Sequence, residues 1–368
     1  MSMKLLIAST LALTQFVPWV APYKKLDLPA DPSRYVELMK DKTENVSVEG
    51  DMLTFLYKSS KEDVTLVSGL SLSLKKIPKT DVWIAQASMS DWNKAFFGYC
   101  FIDGGYKVGT KVDMKPWRGP EAPSKPKEVS TFQGTFKTYT IKSKALDQDR
   151  QVSVYLPPNA PKNMPAVYVA DGQACEGYDK KVEALILEKK VRPVALIGIH
   201  SPEYSGDPKK PYDMNLDFRA KEYLKVADPE RYAKSLDFFC GEVVQWATKE
   251  FGLSDRREDR AIQGVSNGGA FAFTAGVDRP GVFATSMAFS VAAYDEEWYK
   301  KNTKGNGLPA FYFAAGTLES FSRATKIAYE TVKAVNGTTI YETYVSGHDM
   351  AMWNIAFVKY LPQIFRAK

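Results

Sequence analysis

The segment "RAIQGVSNGGAFAF", residues 260–273, is the most informative part of the second half of the chain. A short apolar run leads into Gly264-Val265-Ser266-Asn267-Gly268, and small apolar residues with helical character follow at once. A G-x-S-x-G motif between a strand and a helix is typical of a sharp turn that exposes its serine at the head of the helix. The glycines allow the flanking backbone to approach closely. Ser266 is therefore a candidate nucleophile; the alternative is a serine that merely caps the helix.

Around this turn, compact apolar runs alternate with stretches of helical character. The runs are "RQVSVYLPP", "PAVYVADG", "PVALIGIH", "RAIQGVS", "ATSMAFSVA" and "LPAFYFAAG", and the helical stretches include residues 178–190, 229–250 and 323–335. Such alternation predicts an α/β architecture with a mostly parallel sheet covered on both faces. Ligands bind such sheets at the carboxyl ends of the strands, so the candidate chemistry lies just after each run.

The first part of the chain follows a different pattern. Residues 23–113 contain "DMLTFLYKS", "DVTLVSG", "DVWIAQASM" and "AFFGYCFID", short runs rich in Val, Thr, Phe and Tyr between turn clusters. They predict a small all-β sandwich. Residues 114–127, "MKPWRGPEAPSKPK", have four prolines and no apolar periodicity, which predicts a semi-rigid linker. The α/β domain would then span residues 128–368.

Composition narrows the classes of protein. A chain of 368 residues suits two domains, and the net charge of +6 is spread without a basic block, so nucleic-acid binding is not implied. Cys100, Cys175 and Cys240 lack paired spacing, so we expect buried thiols and no metal site. No cofactor is predicted.

The N-terminal segment resembles a targeting signal. In residues 1–22, Lys4 is followed by an uncharged, mostly apolar run and by Ala21, a small residue suited to cleavage. The run is shorter than the ~20 apolar residues that a comfortable membrane span needs. We therefore predict a signal peptide and a periplasmic or secreted protein without a membrane span. The alternative is a buried N-terminal helix of a cytoplasmic protein.

A serine nucleophile needs a base, and the chain has only two histidines. His348, in "YVSGHDMAMW", follows the apolar run "TTIYETYV" and fits the order serine, acid, histidine. His200 precedes the serine, which favours a structural role or a place on the rim of the site. Glu319, in "AFYFAAGTLES", is the candidate acid and Asp295 its rival. Asp349 is expected to point away.

Backbone N–H groups complete the candidate site. The N–H of Asn267 would be one oxyanion donor, and an earlier strand end normally supplies a second. The run "VYVADGQAC" places Gly172 and Gln173 at such an end. The alternative for this segment is an ordinary Asp-Gly turn.

These motifs resemble a known family. "RQVSVYLPP", "VYVADGQ", "GVSNGG", "GTLES" and "SGHDMAMW" occur in the order found in esterase-D-like α/β-hydrolases. "KIPKTDVWIAQASMSDWNKAFFGYCFI" is similar to the N-terminal, immunoglobulin-like (E-set) domain of enterochelin (enterobactin) esterases. The resemblance implies a cofactor-free serine esterase that cleaves a catecholate siderophore trilactone or its ferric complex. It implies that Ser266 is the nucleophile, His348 the base and Glu319 the acid.

The resemblance also implies residues that contact the substrate. "FRAKEY" matches a loop beside the family's site, where Arg219, with Glu222, would meet an anionic ligand. Trp353 matches an aromatic residue after the family's histidine and would form a substrate wall or part of the core. The expected partner is a small ester with an aromatic or catecholate acyl group. Two alternatives stay open: a feruloyl or acetyl-xylan type of carbohydrate esterase, and a binding module without activity.

Overall fold

The computed structural model describes residues 19–105, 112–207, 210, 213–292, 296–304, 307–335 and 337–367. Its N-terminal part contains β1 (Lys24–Lys25), α1 (Ser33–Leu38), β2 (Glu44–Glu49), β3 (Met52–Lys58), β4 (Val64–Ser68), β5 (Lys75–Lys76), β6 (Val82–Ser88), β7 (Phe96–Asp103) and β8 (Lys115–Arg118). One five-stranded sheet has the order β1-β6-β3-β2, with β5 beside β6, and β4-β7-β8 form a three-stranded sheet. The neighbouring strands pair antiparallel in both sheets.

The two sheets enclose one apolar core. Phe55 and Ala85 of the first sheet are in the same buried cluster as Leu66 and Phe97 of the second. The rings of Phe55 and Phe97 lie 6.0 Å apart. Successive side chains of a strand point to opposite faces of its sheet, and one face of each sheet contributes to this core. This arrangement confirms the predicted β-sandwich.

Residues 115–118 were expected in the linker, and the structure corrects this boundary. They form β8, in which Trp117 pairs with Phe97 and their rings stack at 5.0 Å. Pro116 is accommodated because β8 is an edge strand, where one N–H is not needed for a ladder. The proline-rich segment therefore begins with the short strand β8.

The second part carries the α/β domain. It contains β9 (Thr135–Ser143), β10 (Gln148–Leu156), β11 (Ala166–Ala170), α2 (Asp179–Leu187), β12 (Ala195–Ile199), α3 (Phe218–Tyr223), α4 (Pro229–Asp237), α5 (Val244–Phe251), β13 (Arg260–Val265), α6 (Asn267–Asp278), β14 (Thr285–Phe289), α7 (Glu296–Asn302), β15 (Ala310–Gly316), α8 (Phe321–Ala334), β16 (Thr339–Tyr344) and α9 (Met350–Ile364). The predicted helix 229–250 is α4 and α5 joined by a π-helical segment, Phe238–Val243.

All eight strands join in one sheet of the order β16-β15-β14-β13-β11-β12-β10-β9. β9, β10 and β12 pair antiparallel, whereas the strands from β12 through β11 to β16 run parallel. Two apolar clusters cover the two faces of this sheet. The carboxyl ends of β13, β15 and β16 therefore meet at one edge, where Ser266, Glu319 and His348 follow them. None of the described helices has the length and apolar character needed to cross a membrane.

Candidate active site

Ser266 occupies a strained turn between β13 and α6. Its φ of 59° and ψ of −125° lie in a region that residues with a Cβ rarely adopt. Its side chain makes no capping hydrogen bond to α6, which argues against the alternative of a simple N-cap. A Cβ on Gly264 would collide with the carbonyl oxygen of Gly268, so the first glycine of the motif is required for space. The turn thus presents the hydroxyl of Ser266 at the head of α6.

The structure brings His348 and Glu319 into direct contact. Nδ1 of His348 lies 2.5 Å from Oε2 of Glu319. The other carboxylate oxygen accepts hydrogen bonds from the Ser290 hydroxyl at 2.6 Å and from the Gly316 N–H at 2.8 Å. Glu319 is buried, and these donors satisfy a carboxylate that burial would otherwise penalise. An N–H on Nδ1 that donates to Glu319 leaves Nε2 free to accept a proton.

Trp353 was expected to form a substrate wall or part of the core, and its position fits the second alternative. Its side chain is buried, and its indole N–H donates to the Ser290 hydroxyl at 2.7 Å. Its ring stands edge-on to the ring of His348 at 4.8 Å. Trp353 therefore supports the acid and packs against the histidine. Ser290, which has a φ of 47° just after β14, was not predicted as part of the site; its place after an apolar strand was the available signal.

The end of β14 joins the serine turn to the acid. The N–H of Ser266 donates to the Phe289 carbonyl at 3.0 Å, and the next residue, Ser290, binds Glu319. The Ser266 hydroxyl and Nε2 of His348 make no hydrogen bond to another described residue. Catalytic hydrogen bonds are often loose without substrate, so both groups stay available for chemistry.

The segment after β11 lies beside the serine turn. Asp171 adopts a left-handed conformation, with φ of 57°, and its N–H donates to the Tyr223 hydroxyl at 3.0 Å. A Cβ on Gly268 would lie 3.1 Å from Oδ2 of Asp171, which shows how close the two turns are. The backbone N–H groups of Gly172 and Gln173 bind no backbone carbonyl in the described chain. They are therefore free to act as oxyanion donors.

Two further features place this oxyanion segment. A Cβ on Gly172 would overlap the backbone of Gly198 in β12, so only glycine fits there. The side chain of Gln173 is tied to Ser201, since its amide donates to the Ser201 hydroxyl at 2.7 Å. The N–H of Asn267 also lacks a backbone acceptor within the described residues, as the first residue of a helix does. Candidate oxyanion donors thus stand in two turns that lie close together.

Arg219 does not extend freely toward a ligand. Its Nε and Nη2 each lie 2.7 Å from a carboxylate oxygen of Asp171, and it belongs to α3 rather than to the expected loop. Burial alone would lower the pKa of Arg219, but the carboxylate of Asp171 more than offsets it, so the pKa is raised. The pair holds the residue that directly precedes the candidate oxyanion donors, Gly172 and Gln173.

Glu222 also departs from its expected role. It is buried, and its Oε1 accepts from Arg150 at 2.7 Å and from Arg231 at 2.6 Å. A carboxylate enclosed by two guanidinium groups has no face for a substrate. Glu222 belongs to the packing of α3 on the domain.

The other histidine and the other acidic candidates do not contact His348 or Glu319 through any described hydrogen bond. Nε2 of His200 lies 2.8 Å from the Ser153 hydroxyl, and burial, with the charge of Arg150, lowers the pKa of His200. This fits a structural histidine. Asp349, expected to point away from His348, caps α9 through the N–H of Ala351 at 2.7 Å and accepts the N–H of Gly98. The rival acid Asp295 lies outside the described residues.

The strand order and the serine turn define the α/β-hydrolase fold with an N-terminal β-sandwich. The family model described as "Putative esterase" matches residues 143–306, a segment that includes Ser266. The part of the chain that carries the serine turn is thus similar to esterases.

Solved structures of enterobactin esterases are similar over both domains. The enzyme of Shigella flexneri, solved in the presence of enterobactin, has a TM-score of 0.67 at 17% identity, over 89% of this chain and 97% of that chain. The ferric enterobactin esterase of Salmonella typhimurium has a TM-score of 0.66 at 16% identity, over 89% of this chain and 98% of that chain. These matches confirm the fold and the resemblance to enterochelin esterases.

A ferulic acid esterase resembles the protein over a smaller part. The enzyme of the fungus Anaeromyces mucronatus has a TM-score of 0.53 at 18% identity, over 67% of this chain and 97% of its own. Among curated proteins, none matches this sequence significantly.

Proposed function

We propose that the protein is a serine esterase that works through an acyl-enzyme. The contact between His348 and Glu319, at the strand edge that also holds the strained Ser266, carries this proposal. Nε2 of His348 takes the proton of the Ser266 hydroxyl while Oγ attacks the ester carbonyl carbon. The N–H groups of Asn267 and of Gly172 or Gln173 bind the oxyanion that develops.

The second half of the reaction uses the same groups. The imidazolium of His348 gives its proton to the leaving alcohol oxygen as the ester C–O bond breaks, which leaves the acyl group on Ser266. Water then loses a proton to His348 and attacks the acyl carbon. The acid product departs and the hydroxyl of Ser266 is restored. Glu319 orients the imidazole and stabilises its charged form throughout.

For the substrate, we propose an ester of the catecholate siderophore class, a trilactone or its ferric complex. The support is the likeness to enterobactin esterases across 89% of this chain, including the β-sandwich. A feruloyl or acetyl-xylan type of carbohydrate ester is the second candidate. It is supported by the likeness to a ferulic acid esterase over 67% of this chain.

A comparison of kcat/KM values distinguishes the two substrate classes. We would measure kcat/KM for enterobactin, ferric enterobactin, methyl ferulate and 4-nitrophenyl acetate, with Ser266→Ala as the blank. The siderophore proposal expects the trilactone or its ferric complex to exceed methyl ferulate by at least tenfold. A clear preference for methyl ferulate would transfer the proposal to the second class.

The serine mechanism has its own test. A fluorophosphonate should label the wild-type protein at one site, and Ser266→Ala or His348→Ala should abolish or strongly slow the labelling. Mass spectrometry of the labelled peptide assigns the residue. Labelling that persists in folded Ser266→Ala would disprove the role of this serine.

We also propose that residues 1–22 direct export to the periplasm or the medium. The support is the sequence pattern of Lys4 and the apolar run behind it. Expression of the full chain, followed by fractionation and N-terminal sequencing, tests it. A shortened N-terminus in the exported fraction is the expected result, and an intact Met1 in the cytoplasm would refute it.

A further inference from the structure

The loop that follows β16, residues 345–349, carries His348 and lies directly against the β-sandwich. We name it the histidine loop. The N–H of Phe96, in β7, donates to the Val345 carbonyl at 3.0 Å, and the Ser346 hydroxyl donates to the Phe96 carbonyl at 2.7 Å. The N–H of His348 itself donates to the carbonyl of Gly69, after β4, at 3.2 Å. The backbone of the base is therefore bonded to the other domain.

A close backbone crossing adds to these bonds. A Cβ on Gly347 would overlap the carbonyl of Gly69, and a Cβ on Gly69 would lie 3.1 Å from Cα of Gly347. The φ of Gly347 is not in the left-handed region, so its glycine is needed for space rather than for conformation. Any side chain here would push the histidine loop off the sandwich.

The charged residue beside the base completes the contact. Oδ2 of Asp349 accepts the N–H of Gly98 at 2.5 Å, while Oδ1 caps α9 at the N–H of Ala351 at 2.7 Å. Asp349 is buried, and each of its carboxylate oxygens accepts a hydrogen bond within the protein. One carboxylate thus fixes the start of α9 and the sandwich together.

The acid is fixed against the same domain. Leu318, which precedes Glu319, is fully buried in the apolar core of the sandwich with Leu70 and Phe97. Its N–H donates to the Ser346 carbonyl at 3.0 Å, which ties the acid segment to the histidine loop. His348 and Glu319 thus each follow a residue that contacts the sandwich, Gly347 and Leu318 respectively. Ser266 and Gly172, in contrast, belong to turns that follow strands of the α/β sheet.

We propose that the β-sandwich is a positioning element of the active site: it sets where His348 and Glu319 stand relative to Ser266. Gly347 and Asp349 are the positioning residues through which it does so. This inference rests on the proposed serine mechanism. Proton transfer requires hydrogen-bond distances, and a displacement of about 1 Å costs roughly 100-fold in rate.

The test uses the full chain with Gly347→Ala and, as a milder change, Asp349→Asn. In Asp349→Asn, the amide keeps an oxygen for the cap of α9 but turns a donor toward the N–H of Gly98. We expect kcat for 4-nitrophenyl acetate to fall roughly 100-fold in Gly347→Ala and about tenfold in Asp349→Asn, with KM nearly unchanged. Active-site titration with a fluorophosphonate gives kcat per competent serine, so a smaller folded fraction cannot imitate the effect.

Two control variants separate positioning from stability. Gly281→Ala faces open space, and Leu56→Ala lies in a separate apolar cluster of the sandwich with Tyr35 and Met39. Leu56→Ala should lower the thermal midpoint while kcat per titrated site stays at the wild-type value. If Gly347→Ala does not fold, Asp349→Asn decides. Wild-type kcat in both folded variants would overturn the inference, whereas inactivity of the wild-type protein would instead refute the proposed function.

Discussion

The indole N–H of Trp353 and the hydroxyl of Ser290 lie 2.7 Å apart, and that hydroxyl donates in turn to Glu319. The acid is thus held by a chain of hydrogen bonds that starts on a buried aromatic side chain and ends on His348. Inside a protein, hydrogen bonds of such a chain strengthen one another. Removal of one member should loosen the acid without removing it.

Ser290→Ala tests this chain. The change deletes one donor to Oε1 of Glu319 and leaves the indole N–H of Trp353 buried without an acceptor. A buried unsatisfied group costs about 1–3 kcal/mol of the free energy of unfolding. We expect this loss in urea denaturation, with a fall in kcat of about tenfold, the equivalent of about 1.4 kcal/mol.

Ser286→Ala is the matched control for Ser290→Ala. Ser286 lies in β14 and is buried, as Ser290 is. Its hydroxyl donates to the Ala272 carbonyl at 2.8 Å rather than to Glu319. It should lower stability and leave kcat unchanged. Equal kcat in the two variants would mean that Ser290 supports only the fold.

The identity of the acid is tested with Glu319→Gln. A glutamine cannot stabilise the imidazolium, and its amide favours the wrong tautomer of His348. In serine hydrolases, loss of the acid's charge lowers kcat by about 10⁴-fold. We expect a fall of that order for Glu319→Gln and little effect for Asp295→Asn; the reverse order in kcat assays would make Asp295 the acid.

The sequence predicted the parts of this molecule that depend on period and spacing. The strand runs before Ser266 and Glu319 were recognisable because buried parallel strands are largely apolar. The run before His348 forms the edge strand β16, whose residues are exposed or partly buried. Their adjacency followed from the rule that parallel strands end at one edge of a sheet. The edge strand β9 was missed, since most of its residues are exposed or partly buried and it therefore has no continuous apolar run.

Contacts between distant segments could not be read from the sequence. Glu222 looked like a ligand contact, and Trp353 like either a substrate wall or part of the core, because charge and aromaticity are shared by binding sites and by satisfied interiors. Only three-dimensional packing shows that Arg150 and Arg231 enclose Glu222. The role of Gly347 is similarly invisible, since the collision it avoids is with a residue of the other domain.

Arg219→Met is expected to weaken the oxyanion site. It removes the partner that fixes Asp171 in its left-handed conformation, and the N–H groups of Gly172 and Gln173 follow directly. Loss of one oxyanion donor costs about 10²–10³-fold in kcat, so displacement of this segment should cost up to about 100-fold, with KM little changed. Steady-state kinetics on 4-nitrophenyl acetate measures the effect.

Arg192→Met is the control for Arg219→Met. Arg192 contacts Asp259 at 2.6 Å, near the amino end of β13 and so away from the oxyanion segment. Both variants remove one partner of a largely buried carboxylate, and both should lower the thermal midpoint. A kcat that falls in neither variant would show that the pair of Arg219 and Asp171 serves stability alone.

His200 should make the fold sensitive to acid. Burial and the positive charge of Arg150 lower the pKa of His200 in the folded protein, so the unfolded chain binds its proton at a higher pH. The contribution to stability is therefore fully present above the ordinary histidine pKa of about 6.5 and declines as the pH falls below it.

Urea denaturation at pH 8, 7, 6 and 5 should show a steeper loss of unfolding free energy for the wild type than for His200→Gln. Because glutamine does not titrate, the difference between the two curves isolates this residue. Parallel curves would show that His200 keeps its ordinary affinity for protons when the chain folds.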